Sequence, residues 1–152
     1  SNVLFICYGN INRSVLAEKC LRHYLPDSST LAIHSAGFHP ESHRPADTMM
    51  VDIAAKQGID LTGWSSHSLQ AQTVEQADII FVMEIAHYRR LIEQFPKARH
   101  KTYLLGTVID DHQQLPLEIA DPYGQSADCY QQCFEHINRA ARALSGRSNI
   151  TT

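Results

Sequence analysis

The stretch VLFICYGNINRSVLAE, residues 3–18, places a cysteine at the end of an apolar run and directly before a turn. Residues 3–6 are apolar and partly β-branched, which is typical of a buried strand. After Cys7 comes a segment with one glycine and two asparagines that ends at Arg13 and Ser14. The stretch therefore predicts a strand, then a loop that holds a ligand, and then a helix.

The size and charge of the chain narrow the class of protein. A chain of 152 residues can bury the core of one domain without disulfides or a metal, so we expect a single domain over residues 1–152. Thirteen basic and sixteen acidic side chains leave a formal charge of −3, which provides no basic surface for nucleic acid. The apolar runs are far shorter than the roughly 20 residues of a membrane span, and no signal peptide opens the chain. We therefore expect a cytoplasmic protein with no nucleic-acid partner and no membrane insertion.

The four cysteines, which a reducing cytoplasm would keep as thiols, do not have the spacing of a zinc ribbon or a redox C-x-x-C motif. Cys20 lies on the apolar stripe of a predicted helix and is interpreted as a core residue. Cys129, Cys133 and His136 have the i, i+4, i+7 spacing that could present three metal ligands on one helix face. That face is otherwise apolar, with Tyr130, Phe134, Ile137 and Leu144. Core packing is therefore favoured over a metal site.

Hydrophobic periodicity predicts strands that alternate with helices. Strands are predicted at residues 3–7, 30–35, 78–83 and 101–105. Helices are predicted at residues 13–24, 45–57, 84–95 and 126–144, with Pro45 in the first turn of the second and Ser126 as N-cap of the last. Residues 106–124 are predicted to form a loop long enough to carry function. The alternation predicts an α/β fold, a doubly wound, four-stranded parallel sheet with helices on both faces and its ligand site at the carboxyl ends of the strands.

The loop after the first strand has the composition of an anion site. Gly9 and the two asparagines, Asn10 and Asn12, tolerate positive φ, so the backbone N–H groups can turn inward and form a nest for a phosphate. Arg13 adds a planar fork that can bond two phosphate oxygens. The same N–H groups and the helix dipole favour a thiolate at Cys7, which would be a nucleophile directed at phosphorus. The pattern C-x5-R by itself is also compatible with a buried strand-end cysteine and a surface arginine.

A nucleophile of this kind needs an acid that protonates the departing oxygen. The candidate is Asp121 in the segment ADPYG, residues 120–124, where it could donate a proton and later activate water. Asp-Pro-Tyr is also an ordinary turn sequence. Together with the loop that carries Cys7 and Arg13, however, the Asp-Pro-Tyr segment predicts that Asp121 is a catalytic acid.

The chain resembles the low molecular weight protein tyrosine phosphatases over nearly its whole length. The resemblance rests on CYGNINRS at residues 7–14, SAG at 35–37, GIDL at 58–61 and DPYG at 121–124. It implies that Cys7 forms a cysteinyl-phosphate intermediate, that Arg13 holds the phosphate, and that Asp121 is first acid and then base. It further implies that Ser14 stabilises the thiolate, that Asn10 helps to hold the loop, and that no metal or cofactor is used. The expected partners are a phosphotyrosine-containing protein as substrate and inorganic phosphate as product.

The expected substrate-binding residues are the rest of the loop and one tyrosine beside the acid. They are Tyr8, Gly9, Asn10, Ile11, Asn12, Ser14 and Tyr123. Tyr8 and Tyr123 are expected to flank an aromatic ring at the mouth of the site, where a deep, narrow pocket would admit phosphotyrosine and leave phosphoserine too short to reach Cys7.

Three positions depart from the family pattern. Asn12 stands where the family usually has a second loop cysteine, so a protective disulfide within the loop is not available. Glu41 stands where the family often has an aromatic residue that walls the pocket. Trp64 stands where the family often has a histidine that joins the loop's hydrogen bonds.

Two other functions are compatible with the same fold and loop. An arsenate reductase would need two further cysteines near the third strand, but no cysteine occurs between Cys20 and Cys129. A catalytically silent phosphate- or phosphotyrosine-binding module would retain Arg13 and lose the nucleophile or the acid. Because Cys7 and Asp121 are both present, the sequence favours a phosphatase.

Overall fold

The computed structural model of the chain describes residues 1–110 and 115–147. Within them, four parallel strands form one sheet in the order β2-β1-β3-β4. The strands are β1 (Asn2–Cys7), β2 (Ala32–Gly37), β3 (Ile79–Val82) and β4 (Thr102–Leu104). β1 and β3 are central strands with helices on both faces, which explains why both are almost wholly apolar. The predicted doubly wound α/β fold is confirmed.

Helices cover both faces of the sheet. They are α1 (Arg13–Tyr24), α2 (Thr48–Lys56), α3 (Ala71–Gln76), α4 (Ile85–Gln94) and α5 (Ala127–Ser145). Val3 and Phe5 of β1 point into one core with α1, α2 and α5, whereas Leu4 and Ile6 point into a second core with α3 and α4. Alternate residues of one strand therefore bury two helical layers, as a central strand requires. None of the described helices has the length and apolar character that a membrane span needs.

Several predicted boundaries are wrong. The second strand runs two residues later than predicted, because Asn2 pairs with Ala32 and Cys7 with Gly37 in the parallel register. The second helix begins at Thr48 and not at Pro45, because the side chain of Asp47 accepts a hydrogen bond from Met49 N (3.1 Å) and caps the helix there. Three short elements were not predicted. They are α3 and two 3₁₀ helices, Pro96–Lys101 and Leu105–Val108.

The predicted loop at residues 106–124 therefore begins with a 3₁₀ turn, and its residues 111–114 lie outside the described part of the chain. The predicted N-cap at Ser126 is confirmed, since its hydroxyl accepts a hydrogen bond from Cys129 N (3.3 Å).

The interpretation as core residues holds for three of the four residues Cys20, Cys129, Cys133 and His136. Cys20, Cys133 and His136 are buried, while Cys129 is partly exposed. Burial raises the pKa of the Cys20 and Cys133 thiols to about 12, so both remain protonated at neutral pH. Burial, followed by the charge of Arg139, lowers the pKa of His136. Among the described residues, no group of three His, Cys, Asp or Glu side chains is placed to hold a metal ion.

Gly37, at the end of β2, is packed directly against the loop that follows β1. A Cβ at this position would lie 2.6 Å from Tyr8 O and 2.9 Å from Asn10 N, which are closer than nonbonded atoms can approach. The absence of a side chain at Gly37 therefore allows the loop after Cys7 to lie against the neighbouring strand.

We expect Gly37→Ala to destabilise the protein by about 1–3 kcal/mol, because the added methyl must displace backbone atoms of the loop. The matched control is Gly146→Ala at the end of α5, where the nearest atom would lie 3.7 Å away and the backbone is right-handed helical. Urea unfolding of both variants measures the effect. Equal midpoints for Gly37→Ala and the unmodified protein would contradict the close packing described for the loop.

Candidate active site

The loop at residues 7–13 connects the carboxyl end of β1 to the amino end of α1, and its turn is made by Asn10. Asn10 has φ of +57°, in the left-handed region that asparagine tolerates better than most residues. Gly9, Asn10 and Asn12 were all expected to tolerate positive φ, but of the three only Asn10 adopts it. Asn12 has φ of −132° and forms the N-cap position of α1.

The side chain of Asn10 holds this turn through three hydrogen bonds, although it is completely buried. Its Nδ2 donates to Ser14 Oγ (2.8 Å) and Ser35 Oγ (3.0 Å), and its Oδ1 accepts from His67 N (2.8 Å). Ser35 in turn donates to Glu18 Oε1 (2.9 Å). Since each buried polar atom of the amide has a partner, the left-handed turn is stabilised without an unpaired group.

Trp64 adds a further hydrogen bond to the same turn. Its indole Nε1 donates to Asn10 O (2.8 Å), and Lys19 Nζ lies 5.4 Å from the centre of its ring. Trp64 stands where the family often has a histidine, and it still donates a hydrogen bond to the loop.

Cys7 lies at the base of the loop and is almost completely buried. Its Sγ accepts a hydrogen bond from Asn10 N (3.2 Å) and lies 2.9 Å from Ser14 Oγ. Both groups can donate to a thiolate, and hydrogen bonds to a charged acceptor are stronger than those to a neutral one. Cys7 thus has two hydrogen-bond donors at its sulfur.

Arg13 is a buried cation with two carboxylate neighbours. Its side chain is 2% exposed, and Nη1 donates to Glu84 Oε2 (2.7 Å) and Ile119 O (2.7 Å), while Nη2 lies 3.6 Å from Asp121 Oδ2. Burial alone lowers the pKa of Arg13, but the charges of Cys7, Glu84 and Asp121 outweigh burial and raise the pKa overall. The guanidinium is therefore permanently charged and held in one orientation beside Cys7.

The segment that carries Asp121 is attached to the sheet through Arg13 and β3. Ile119 N donates to Met83 O (2.9 Å), next to the Arg13 contact with Ile119 O. Asp121 Oδ1 accepts from Tyr123 N (3.1 Å), so the Asp-Pro-Tyr turn fixes the side chain that it presents. The side chain of Asp121 remains 46% exposed to solvent.

These groups surround one cavity of about 300 Å³. Its lining contains the three predicted catalytic residues, five predicted substrate-binding residues and two residues that were not predicted. They are Cys7, Arg13 and Asp121; Tyr8, Gly9, Ile11, Asn12 and Tyr123; and His39 and Arg44. Two predicted substrate-binding residues, Asn10 and Ser14, do not line the cavity but lie behind the loop, where they contact each other and Cys7.

A larger cavity of about 540 Å³ lies on the other side of the Asp121 segment, against α5. Cys133 and His136 are among its lining residues, but Cys7 and Arg13 are not. Because burial keeps Cys133 protonated and the larger cavity includes neither Cys7 nor Arg13, the smaller cavity is the candidate active site.

Asn12, the position that departs from the family pattern, belongs to a hydrogen-bonded group with Asp47 and Tyr130. Asn12 Nδ2 donates to Asp47 Oδ2 (3.0 Å), and Tyr130 Oη donates to the same oxygen. Asp47 N also donates to Ile11 O (2.9 Å). Burial and the contact with Asp47 raise the pKa of Tyr130 to about 12. Asp47 thus links the loop to α2 and α5.

Several residues that contact the catalytic loop or line the cavity were not predicted from the sequence, among them Glu84, Asp47, His39 and Arg44. Each comes from a distant segment with no motif of its own. Glu41, which the sequence analysis placed at the pocket wall, is exposed and is not among the lining residues, whereas His39 and Arg44 are. The segment at residues 38–44 includes a left-handed His43, and its path cannot be read from spacing alone.

Comparison with known proteins identifies the family. The family model described as low molecular weight phosphotyrosine protein phosphatase matches residues 2–150. The chain belongs to this family. The phosphatase is similar to Etp of Escherichia coli K12, a low molecular weight protein-tyrosine-phosphatase, with 33% identity over 147 residues that make up 97% of this chain and 94% of Etp.

Two solved structures illustrate the range of relatives. Wzb of Vibrio vulnificus in complex with benzylphosphonate is 32% identical and has a TM-score of 0.83, covering 95% of the phosphatase and 97% of Wzb. YwlE arginine phosphatase of Geobacillus stearothermophilus is 25% identical and has a TM-score of 0.83, covering 95% of the phosphatase and 90% of YwlE. The phosphatase is therefore a phosphoric monoester hydrolase by family, and its relatives include proteins named for different phosphorylated residues.

The replacement of a second loop cysteine by Asn12 leads to a prediction about oxidation. We expect peroxide to convert Cys7 to the sulfenic and then the sulfinic acid, with poor recovery by thiols after long exposure. Cys20 and Cys133 are buried and protonated, so neither is suited to attack an oxidised Cys7. Asn12→Cys places a thiol in the same cavity lining as Cys7 and should restore recovery through a disulfide.

Asn12→Ser is the matched control, because it also removes the amide that contacts Asp47 but supplies no thiol. Activity on p-nitrophenyl phosphate after peroxide and dithiothreitol, together with peptide mass analysis, measures the outcome. A Cys7–Cys20 disulfide as the main product, or full recovery of the unmodified protein after long exposure, would show that the expectation is wrong.

Proposed function

We propose that this phosphatase hydrolyses phosphotyrosine in proteins through a cysteinyl-phosphate intermediate, with inorganic phosphate as product. The observation that carries the proposal is that a buried cysteine and an arginine of one loop, and an aspartate from a distant segment, line one small cavity. A nucleophile, an anion-binding group and a proton donor are the three groups that phosphate-ester hydrolysis by covalent catalysis requires.

In the first step, the Cys7 thiolate attacks phosphorus while the bond from phosphorus to the phenolic oxygen breaks. Asp121 gives its proton to that oxygen, so the tyrosine leaves as a neutral phenol. Arg13 and the loop N–H groups bind the phosphate oxygens and stabilise their charge in the transition state. Glu84 and Ile119 O hold Nη1 of Arg13, which lines the cavity.

In the second step, water attacks the phosphorus of the intermediate and the bond from phosphorus to sulfur breaks. Asp121, now a carboxylate, takes a proton from the water, and the Cys7 thiolate is regenerated as inorganic phosphate leaves. Asn10 N and Ser14 Oγ, which contact Sγ, stabilise the thiolate as the leaving group of this step. Cys7, Asp121 and water account for each bond change and proton transfer, so the reaction as proposed uses no cofactor.

The walls of the cavity favour an aromatic phosphate ester. Tyr8, Ile11 and Tyr123 provide apolar surface above Cys7, on which a phenyl ring can pack. A phosphorylated arginine would instead bring a guanidinium group close to the cation of Arg44, which lines the same cavity. The binding of benzylphosphonate by the Vibrio relative also supports a ligand that joins an aromatic ring to a tetrahedral anion.

The reaction depends on a free thiol at Cys7, and all four cysteines in the described part of the chain are unpaired. A reducing compartment preserves such thiols. We therefore include the cytoplasm in the proposal as the place where this phosphatase acts.

Asp121→Asn tests the assignment of the acid. We expect turnover of phosphotyrosine peptides to fall by about 10²- to 10⁴-fold, because the phenol of tyrosine needs a proton to leave. Activated aryl phosphates, whose leaving groups are weaker bases, should lose much less activity. Asp128→Asn, in the exposed first turn of α5, is the matched control for loss of one carboxylate.

Steady-state kinetics on phosphotyrosine, phosphoserine and phosphoarginine substrates, with p-nitrophenyl phosphate as the activated ester, measure these effects. Equal losses on the peptide and on the activated ester would mean that Asp121 is not the acid. Faster turnover of phosphoserine or phosphoarginine than of phosphotyrosine would refute the proposed substrate.

A further inference from the structure

Arg44 is a second cation at the mouth of the active-site cavity, and the mechanism proposed above does not use it. The rim of the cavity is formed by Tyr8, His39, Arg44 and Tyr123. Arg44 is partly buried in this rim, and Arg13 lies deeper, at the base. The two arginines therefore line the same space at different depths.

Backbone carbonyls fix the orientation of the Arg44 guanidinium. Nη2 donates to Gly9 O (2.6 Å) and Nε donates to Glu41 O (3.4 Å), while the backbone N donates to Ser66 Oγ (2.9 Å). These contacts tie the segment at residues 41–44 to the catalytic loop. Because the guanidinium has five N–H donors, contacts to two carbonyls leave further donors available.

No carboxylate balances the charge of Arg44 within the described residues. Arg13 has Glu84 at 2.7 Å and Asp121 at 3.6 Å, but Arg44 has no acidic group within the 4.0 Å that defines an ion pair. An arginine that is oriented by neutral carbonyls and has no counter-ion is an effective receptor for an anionic group of a ligand.

His39 adds a second donor beside Arg44. Its Nδ1 accepts a hydrogen bond from Glu41 N (3.0 Å), so in the neutral ring the proton is assigned to Nε2. The ring packs edge-on against Tyr8, with 5.7 Å between ring centres. This side of the rim therefore presents polar donors together with an aromatic surface. It belongs to the segment at residues 38–44, in which Glu41 was expected to line the pocket.

We propose that Arg44 forms a second anion subsite, which selects phosphotyrosine substrates that carry another anionic group next to the phosphotyrosine. The group is a carboxylate of aspartate or glutamate, or a second phosphate. This inference rests on the proposed function, since it requires that the phosphotyrosine occupies the cavity above Cys7. The side chain of the phosphotyrosine would carry its phosphate to the base of the cavity and leave its Cα at the rim. Consecutive Cα atoms are about 3.8 Å apart, so a flanking residue would also lie at the rim.

The test compares peptides that differ in one residue beside the phosphotyrosine, namely glutamate, glutamine, lysine or a second phosphotyrosine. We expect kcat/KM for the glutamate or the doubly phosphorylated peptide to exceed that for the glutamine peptide by about three- to ten-fold, with lysine lowest, mainly through KM. The preference should shrink in high salt. A preference for glutamate identifies a carboxylate as the recognised group, and a preference for the doubly phosphorylated peptide alone identifies a phosphate.

Arg44→Gln should abolish the preference, and Arg44→Lys should retain part of it. The matched control is Arg22→Gln, which removes the same charge from an exposed arginine that donates to a backbone carbonyl, Ile33 O, outside the cavity. A merely structural role of Arg44 through Gly9 O would lower the activity on all peptides and on p-nitrophenyl phosphate by one factor, leaving the ratio between peptides unchanged.

Three results would overturn the subsite. They are no preference in the unmodified phosphatase, an unchanged preference in Arg44→Gln, and an equal loss of preference in Arg22→Gln. Hydrolysis of p-nitrophenyl phosphate without turnover of any phosphotyrosine peptide would overturn the proposed function, and the subsite with it. Efficient turnover of every peptide at one rate would refute the subsite alone.

Discussion

The hydrogen bonds of the buried Asn10 side chain are the constraint on which the rest of the active site depends. They hold a residue with positive φ at the point where the chain leaves β1 and turns into α1. The same residue directs its backbone N at Cys7 Sγ and receives Trp64 at its carbonyl. Side chains from β2, α1 and the segment before α3 therefore define one conformation of the loop, and the nucleophile is positioned before any substrate binds.

A second constraint is the burial of Arg13 in a protein with few other buried charges. A guanidinium that is removed from water must have partners, and Glu84, Asp121 and Ile119 O provide them. Glu84 follows the carboxyl end of β3, and Ile119 and Asp121 lie in the segment before α5. Asp121, the proposed acid, thus lies 3.6 Å from Arg13, the residue proposed to bind phosphate. The ion pairs that stabilise the buried Arg13 therefore also assemble the active site.

The fold and the base of the site were predictable because each rests on a local pattern. The apolar run before Cys7 predicts a buried strand, and the loop that follows has the composition of an anion nest. Tyr8 and Tyr123 were predicted at the rim, but His39 and Arg44 were not, because they belong to a segment without regular structure whose path depends on tertiary hydrogen bonds to Gly9 O and Ser66. Asp47 was missed for a related reason. The helix that it caps was predicted to begin at Pro45, and the contacts of Asp47 with Asn12 and Tyr130 join residues far apart in sequence.

The central claim is that Cys7 accepts the phosphoryl group during turnover. The most direct measurement is rapid acid quench of the phosphatase with a radiolabelled phosphotyrosine peptide, followed by peptide mapping of the denatured protein. If Cys7 is the nucleophile, label forms on Cys7 before free phosphate is released, and none forms at this position in Cys7→Ala mixed under the same conditions. Continued release of phosphate with no label on Cys7, or label on another residue, would contradict this claim.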